Sequence, residues 1–269
     1  MTADFVVHDA VLLAAQAACV ALPGAGVPGW IRARASSRWA LVLPLSIGLV
    51  VGAIAIDPAV ADGLTWLALV GVPIGAALAL GWAMRGARPA LAVVAAALLA
   101  VAWAWQDTAA GQLAGLALTA LSCVTLGRLL AGVAPLTWLK VGIVAMATID
   151  AILVFSHGLQ QPNAVLNAAV PAPGLPRLQY ASFGPAVLGY GDLFVAGVLG
   201  GVLAAEGARA WRWALATWAL AEAFTLLFYV TDTLPATVPV AVAMLLREAV
   251  RWRRAGAAQA LAGAGASRA

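Results

Sequence analysis

The sequence predicts an all-α, polytopic membrane protein with about nine transmembrane helices. Of its 269 residues, 64% are hydrophobic and only 10% are charged, whereas a soluble domain carries about 25% charged residues. The mean hydropathy is +0.98. Nearly all of the chain therefore belongs in a lipid bilayer. We expect a single transmembrane domain over residues 1–254 and a flexible cytoplasmic tail over residues 255–269.

Apolar stretches of about 20 residues mark the predicted spans, because a helix of that length crosses the hydrocarbon core. Several stretches are separated by only a few residues, which makes consecutive helices antiparallel. The nine predicted spans are residues 6–23, 39–56, 63–84, 88–106, 111–132, 136–157, 183–205, 210–231 and 235–250. The longest connection precedes the seventh span, and its end, residues 177–182, is a candidate for an extended segment to which a peptide strand can pair.

The basic residues predict the orientation. Fourteen of the 15 lie on alternate loops, and only Arg177 lies on the other side. The positive-inside rule then places the N-terminus outside and the C-terminus in the cytoplasm of a plasma membrane. Since the basic residues sit at helix ends, the net charge of +4 does not indicate a nucleic-acid partner. The opposite loops carry acids instead, namely Asp4, Asp57, Asp62, Asp107 and Asp232.

Two carboxylates lie inside consecutive spans, Asp150 in the sixth and Asp192 in the seventh. A charged group at that depth costs at least about 2.5–3.5 kcal/mol, so such residues face a bundle interior and usually have a function. Asp150 lies roughly 10 Å before the end of its span, and Asp192 roughly 13 Å after the start of its own. The two acids are therefore expected at a similar depth on antiparallel neighbours.

A pair of nearby carboxyl groups is suited to hydrolysis. The pair shares one proton and titrates as a unit, so that one carboxylate can activate water while the other protonates the leaving group. His8 and His157 are far apart in sequence, and Cys19 and Cys123 form no metal-binding motif. We expect neither a metal ion nor an organic cofactor.

Three short motifs resemble those of the aspartyl intramembrane proteases of the presenilin and signal peptide peptidase family. That family carries Tyr-Asp, Gly-x-Gly-Asp and Pro-Ala-Leu on helices six, seven and nine of a nine-helix fold. The corresponding residues here are Asp150, the run Gly189-Tyr190-Gly191-Asp192, and Pro235-Ala236-Thr237. The sequence departs from the family at Ile149, where Tyr is usual, and at Thr237, where Leu is usual.

The resemblance implies a presenilin-like bundle that acts as an intramembrane aspartyl endopeptidase. Asp150 and Asp192 would be catalytic, and the substrates would be transmembrane or signal-peptide-like segments. If the departures only adjust the site, Ile149→Tyr and Thr237→Leu should preserve or raise cleavage. The residues implied for the substrate cleft are Gly189, Tyr190, Gly191, Pro235, Ala236 and Thr237.

Three alternatives remain open at this point. A prepilin-type peptidase also uses a Gly-x-Gly-Asp motif. A proton-coupled transporter would use Asp150, Asp192 and the mid-span Glu222 as a relay. An inactive homologue would keep only part of the site. Gly197 and Gly201 form a GxxxG pattern, which is typical of helix packing.

Overall fold

The fold is mostly helical, as the sequence predicts, with one small β-hairpin. The computed structural model describes residues 3–229, 231 and 233–266. Helix makes up 76% of the structure and strand 4%. The α-helices are α1 (Ala3–Ala21), α2 (Gly29–Arg32), α3 (Val42–Ile56), α4 (Val60–Leu78), α5 (Val93–Ala104), α6 (Ala109–Val133), α7 (Leu136–Phe155), α8 (Gln160–Ala168), α9 (Tyr190–Ala205), α10 (Ala210–Thr225) and α11 (Thr237–Ala266).

Short irregular helical segments extend several of these helices. A 3₁₀ turn precedes α3 and another precedes α5, and a π-helical turn continues α4. These segments are Ser37–Leu41, Pro89–Ala92 and Ala79–Ala83, and a further 3₁₀ turn, Leu226–Tyr229, follows α10. The strands are β1 (Tyr180–Phe183) and β2 (Ala186–Gly189).

Each of the nine predicted spans contains a helix, but nine membrane crossings are not confirmed. Among the described residues, four helical segments are long and apolar enough to cross a membrane, namely Ser37–Ile56, Val60–Ala83, Ala109–Val133 and Leu136–Phe155. Three further apolar helices are shorter, namely Val7–Ala21, Pro89–Ala104 and Tyr190–Ala205.

The segment predicted as a flexible tail is helical as far as Ala266. Asp232 and Arg268, used in the charge analysis, lie outside the described residues.

The prediction of a continuous helix over residues 183–205 is wrong for its first seven residues. Phe183–Gly189 belongs to an antiparallel hairpin in which Tyr180 pairs with Gly189 and Phe183 with Ala186. Gly184 begins the two-residue turn with φ +56°, a conformation that favours glycine. The ring of His8 lies 5.2 Å from that of Phe183. The extended conformation predicted for residues 177–182 is present from Tyr180 onward.

Helix α9 lies at the centre of the bundle. Every residue from Leu193 to Ala204 is buried, and α9 contacts α1, α6, α7, α10 and α11. Its contact with α6 is a direct backbone approach, because a Cβ added at Gly197 would collide with the Cys123 carbonyl and one at Gly201 with the Gly127 carbonyl. The packing role predicted for the GxxxG pattern is thus confirmed.

An ion-pair network joins the beginning of α7, the end of α9 and the middle of α11. Lys140 Nζ lies 2.7 Å from Glu206 Oε1 and 3.0 Å from Glu248 Oε1. Arg247 pairs with both glutamates, and Arg251 Nη1 lies 3.0 Å from Glu206 Oε1. Glu206, which directly follows α9, is therefore bound by cations from two other helices.

The close contact between α6 and α9 predicts that Gly197→Ala destabilises the protein by about 1–3 kcal/mol or more, because the added methyl group overpacks the interface. Gly48→Ala is the matched control, since a Cβ there meets nothing within 4 Å and alanine is the better helix former. Thermal unfolding in detergent measures both variants. Equal melting temperatures for the two would contradict the close contact.

The network predicts a pH-dependent contribution from Glu206. Burial raises the pKa of its carboxyl, but Lys140 and Arg247 outweigh burial and hold the pKa below the ordinary value of 4.5. A carboxyl with a lowered pKa in the folded protein stabilises it above the unfolded pKa, and this contribution is lost as pH falls through the folded pKa. The melting-temperature difference between wild type and Glu206→Gln should therefore be largest at neutral pH and shrink below about pH 4.5.

The control for this measurement is Asp107→Asn, which changes an exposed carboxylate that has no ion pair among the described residues. Its melting temperature should follow that of the wild type at every pH. A Glu206→Gln difference that stays constant down to strongly acid pH would show that the ion pairs do not contribute through the Glu206 charge.

Candidate active site

Asp150 lies near the end of α7, five residues before Phe155. The residue is 6% exposed. Thr237 Oγ1, at the first residue of α11, donates a hydrogen bond of 2.6 Å to Asp150 Oδ2. A hydrogen bond to a charged group is worth about 1.5–3 kcal/mol, so Thr237 both satisfies the buried carboxyl and ties α11 to α7.

Asp192 occupies the third position of α9, whereas the sequence predicts it nine residues into a longer helix. Its Oδ2 accepts a hydrogen bond of 3.1 Å from the Gly189 N–H. A carboxylate at a helix N-terminus is also favoured by the helix dipole. The helices that carry Asp150 and Asp192, α7 and α9, pack against each other, and Gly191 beside Asp192 lies against Met146 on α7. The structure thus brings together the two acids that the sequence selects.

Small and aromatic residues of the second motif set the position of Asp192. A Cβ added at Gly191 would lie 3.3 Å from Met146 Cε, one turn before Asp150 on α7, so glycine permits the close approach of the two helices. The hydroxyl group of Tyr190 lies 2.9 Å from Ser122 Oγ on α6. Tyr190 therefore anchors the start of α9 against α6.

The third motif, Pro235-Ala236-Thr237, makes hydrogen bonds at the site through a side chain and through its backbone carbonyls. The Pro235 carbonyl accepts a hydrogen bond of 3.1 Å from the Val238 N–H, which starts the turn leading into α11. The Ala236 carbonyl accepts a hydrogen bond of 3.0 Å from Gln16 Nε2 on α1. Of this motif, Thr237 contacts Asp150 directly.

Gln16 is a site residue that the sequence interpretation missed. It is fully buried, and its Nε2 lies 3.0 Å from the Ala236 carbonyl and 3.4 Å from the Asp192 carbonyl. One amide thus links the second and third motifs. The sequence does contain a signal for Gln16, because it is a lone amide in an apolar run. A polar side chain that is buried there needs a hydrogen-bond partner.

A second pair of acids lies outside the motifs. Asp9 lies on α1 and Glu222 on α10, two helices that pack against each other. The Glu222 Oε1 atom is buried and has no hydrogen-bond partner among the described residues. The sequence interpretation singled out Glu222 but not Asp9. Asp9 and Gln16 are seven residues apart, a spacing that places both on one face of α1.

Searches of protein-family models, curated proteins and solved structures find no match to this chain. The likeness to presenilin and signal peptide peptidase therefore depends on the motifs alone. Within the described ranges, no group of three or more His, Cys, Asp or Glu side chains is placed to hold a metal ion. The expectation that no cofactor is required stays a prediction.

The hydrogen bond between Thr237 and Asp150 predicts a loss of stability for any substitution that removes the hydroxyl group. Thr237→Val removes the donor at nearly constant volume and leaves the buried carboxyl with one partner fewer, which should cost about 1–3 kcal/mol. Thr237→Ser keeps the hydroxyl group and should retain most of the stability. Thermal unfolding of both variants in detergent tests the contact, and a serine variant as unstable as the valine variant would argue against it.

Proposed function

We propose that the protein is an intramembrane aspartyl endopeptidase that hydrolyses peptide bonds of transmembrane segments. The observation that carries the proposal is the placement of Asp150 and Asp192 on the packed helices α7 and α9. Two carboxyl groups that lie near each other can share a proton. One would take a proton from the attacking water, and the other would protonate the peptide at the cleaved bond.

The neighbours of the pair support this role. Thr237 and the Gly189 N–H each hold one oxygen of a carboxyl group, which limits rotation of the two acids. Fixed orientation lowers the entropic cost of reaching the reactive arrangement. Gln16 holds the backbone of the two motifs that carry these donors. In the proposal, Thr237 and Gln16 are positioning residues, and only the two acids act on the substrate.

An apolar groove between α7 and α11 supports a helical, hydrophobic substrate. The groove has a volume of about 330 Å³ and is lined on α7 by Ala147 and Ala151 and on α11 by Val238 and Ala241. Ala147 and Ala151 flank Asp150 in sequence, and Val238 follows Thr237. A helix with an apolar face can pack into such a groove, close to the paired acids.

The β-hairpin offers a second way to hold the substrate. β2 ends at Gly189, directly before the residues that carry Asp192. A peptide that unwinds near the site could add a strand to the hairpin. Its backbone would then lie next to the second motif. In this proposal Gly189, Tyr190 and Gly191 shape the cleft, and Pro235 and Ala236 border it.

The proposed setting is a plasma membrane with the N-terminus outside, the C-terminus in the cytoplasm and about nine spans. The apolar helices support membrane insertion. The orientation follows from the distribution of the basic residues. In this orientation the ends of α7 and α9 that carry the two acids face the extracytoplasmic side.

A proton-coupled transporter is the second candidate, and the pair of Asp9 and Glu222 favours it. With these two residues, α1, α7, α9 and α10 each carry an acid within an apolar segment. Chains of acidic residues inside membranes are typical of proton relays. The two candidates differ in which acids are essential, since hydrolysis requires Asp150 and Asp192 and a relay also requires Glu222.

The protease proposal predicts that Asp150→Asn and Asp192→Asn each abolish cleavage of a transmembrane reporter peptide by the purified protein in liposomes. Either change removes the proton exchange while preserving side-chain size. The double variant should be no worse than either single variant, because the two acids act as a unit. Wild-type cleavage should depend on pH as a bell-shaped curve.

Glu222→Gln is the matched control, since it neutralises another acid inside an apolar helix and should retain cleavage. Substantial activity of either aspartate variant would rule out the two-aspartate mechanism. An inactive wild type combined with proton uptake that depends on Glu222 would favour the transporter.

A further inference from the structure

We propose a binding site for a phosphate-type anion in the cavity between the α1–α2 connection, α6 and α9, with Arg32 and Arg128 as its ligands. The cavity has a volume of about 200 Å³. Its wall consists of the two arginines, Val27 and seven glycine or alanine residues, among them Gly24, Gly26, Ala25, Ala131 and Ala205. The small residues leave the space open, and the charge of the wall is positive.

Arg128 projects from α6 and is held by backbone oxygens. Its Nε donates a hydrogen bond of 2.7 Å to the Gly26 carbonyl, and its Nη2 donates one of 3.1 Å to the Ala25 carbonyl. Its Nη1 donates to the Trp82 carbonyl. Carbonyls orient a guanidinium group but do not neutralise it, and arginine stays protonated in proteins.

No carboxylate compensates the two charges within the described part of the chain. No described Asp or Glu forms an ion pair with Arg32 or Arg128. Glu206, the acid that follows the cavity residue Ala205, is bound by Lys140 and Arg247 instead. Arg32 is exposed, whereas Arg128 is partly buried. A charge that is partly removed from water is usually paired, so Arg128 beside a cavity without a counter-charge points to an anionic ligand.

The chemistry and the position both favour phosphate. The planar guanidinium group binds phosphate oxygens through parallel N–H donors. Arg128 stacks on Trp82, with its Cζ 4.1 Å from the ring centroid, and tryptophan is typical of the headgroup region. Basic pockets between transmembrane helices on the cytoplasmic side bind anionic headgroups. A phospholipid headgroup and free phosphate share this chemistry, and the experiment separates them.

The test compares lipid binding by the full-length protein with that of variants. Native mass spectrometry, after reconstitution in phosphatidylcholine vesicles with or without phosphatidylglycerol, measures the retained lipid. Arg32→Gln should weaken phosphatidylglycerol binding roughly 10- to 100-fold, the loss expected for a hydrogen bond to a charged group. Arg34→Gln is the matched control, because Arg34 is exposed, does not line the cavity and donates to the Trp30 carbonyl.

A second pair of variants leaves every charge in place. Ala205→Leu fills the cavity and should also displace the lipid, whereas Ala33→Leu, at an exposed residue outside the cavity, should not. If inorganic phosphate displaces phosphatidylglycerol from wild type, the ligand is a free anion, and if it does not, the ligand is the lipid headgroup. If the wild-type protein retains neither phosphatidylglycerol nor inorganic phosphate, the proposal is wrong. Equal losses in Arg32→Gln and Arg34→Gln, or normal binding by Ala205→Leu, would overturn it as well.

This inference does not depend on the proposed protease activity. The cavity borders α9 at Gly201 and Ala205, close to the opposite end of the helix from Asp192. The lipid-binding measurement involves no substrate, so its failure leaves the aspartate experiment unaffected, and an inactive enzyme leaves the anion measurement unaffected.

Discussion

The backbone contact between α6 and α9 is the constraint on which the rest of the structure depends. Gly127, Gly197 and Gly201 bring the two helices so close that main-chain atoms of one meet those of the other. In a membrane protein, where apolar burial gives little drive for helices to associate, such van der Waals contact is a principal source of stability. With α9 fixed in this way, α1, α7 and α11 pack around it. Their polar side chains Gln16, Asp150 and Thr237 then lie near its N-terminal end.

The sequence predicts the helical class, the position of most helices and the two central acids because these depend on strong local signals. Apolar stretches of sufficient length favour helices in a bilayer, and a carboxylate inside one of them is rare enough to be informative. The start of α9 is different. The apolar run Phe183–Gly189 fits a helix or a buried strand equally well by composition, and the turn at Gly184 together with the contact of Phe183 with His8 decides in favour of the hairpin.

The polar contacts of the site lie beyond what local patterns can predict. The hydroxyl group of Thr237 contacts Asp150 across 87 residues of sequence, and the amide of Gln16 reaches Ala236 across 220. Neither pairing has a local signature, because each depends on which helices become neighbours. Thr237 illustrates the difficulty, since comparison with a family motif marks it as a departure, whereas the structure makes it the hydrogen-bond partner of a candidate catalytic residue.

The link from Gln16 to Ala236 has a consequence for how the molecule is made. α1 is synthesised before α11, so the amide of Gln16 can bind the Ala236 carbonyl only after the residues that open α11 have been inserted. Asp150 likewise gains its hydrogen bond only after Thr237 has been synthesised. Until then the nascent chain contains Asp150 and Asp192 without all of their final contacts. The polar contacts around Asp150 and Gln16 are therefore completed only when the segment that opens α11 has joined the bundle.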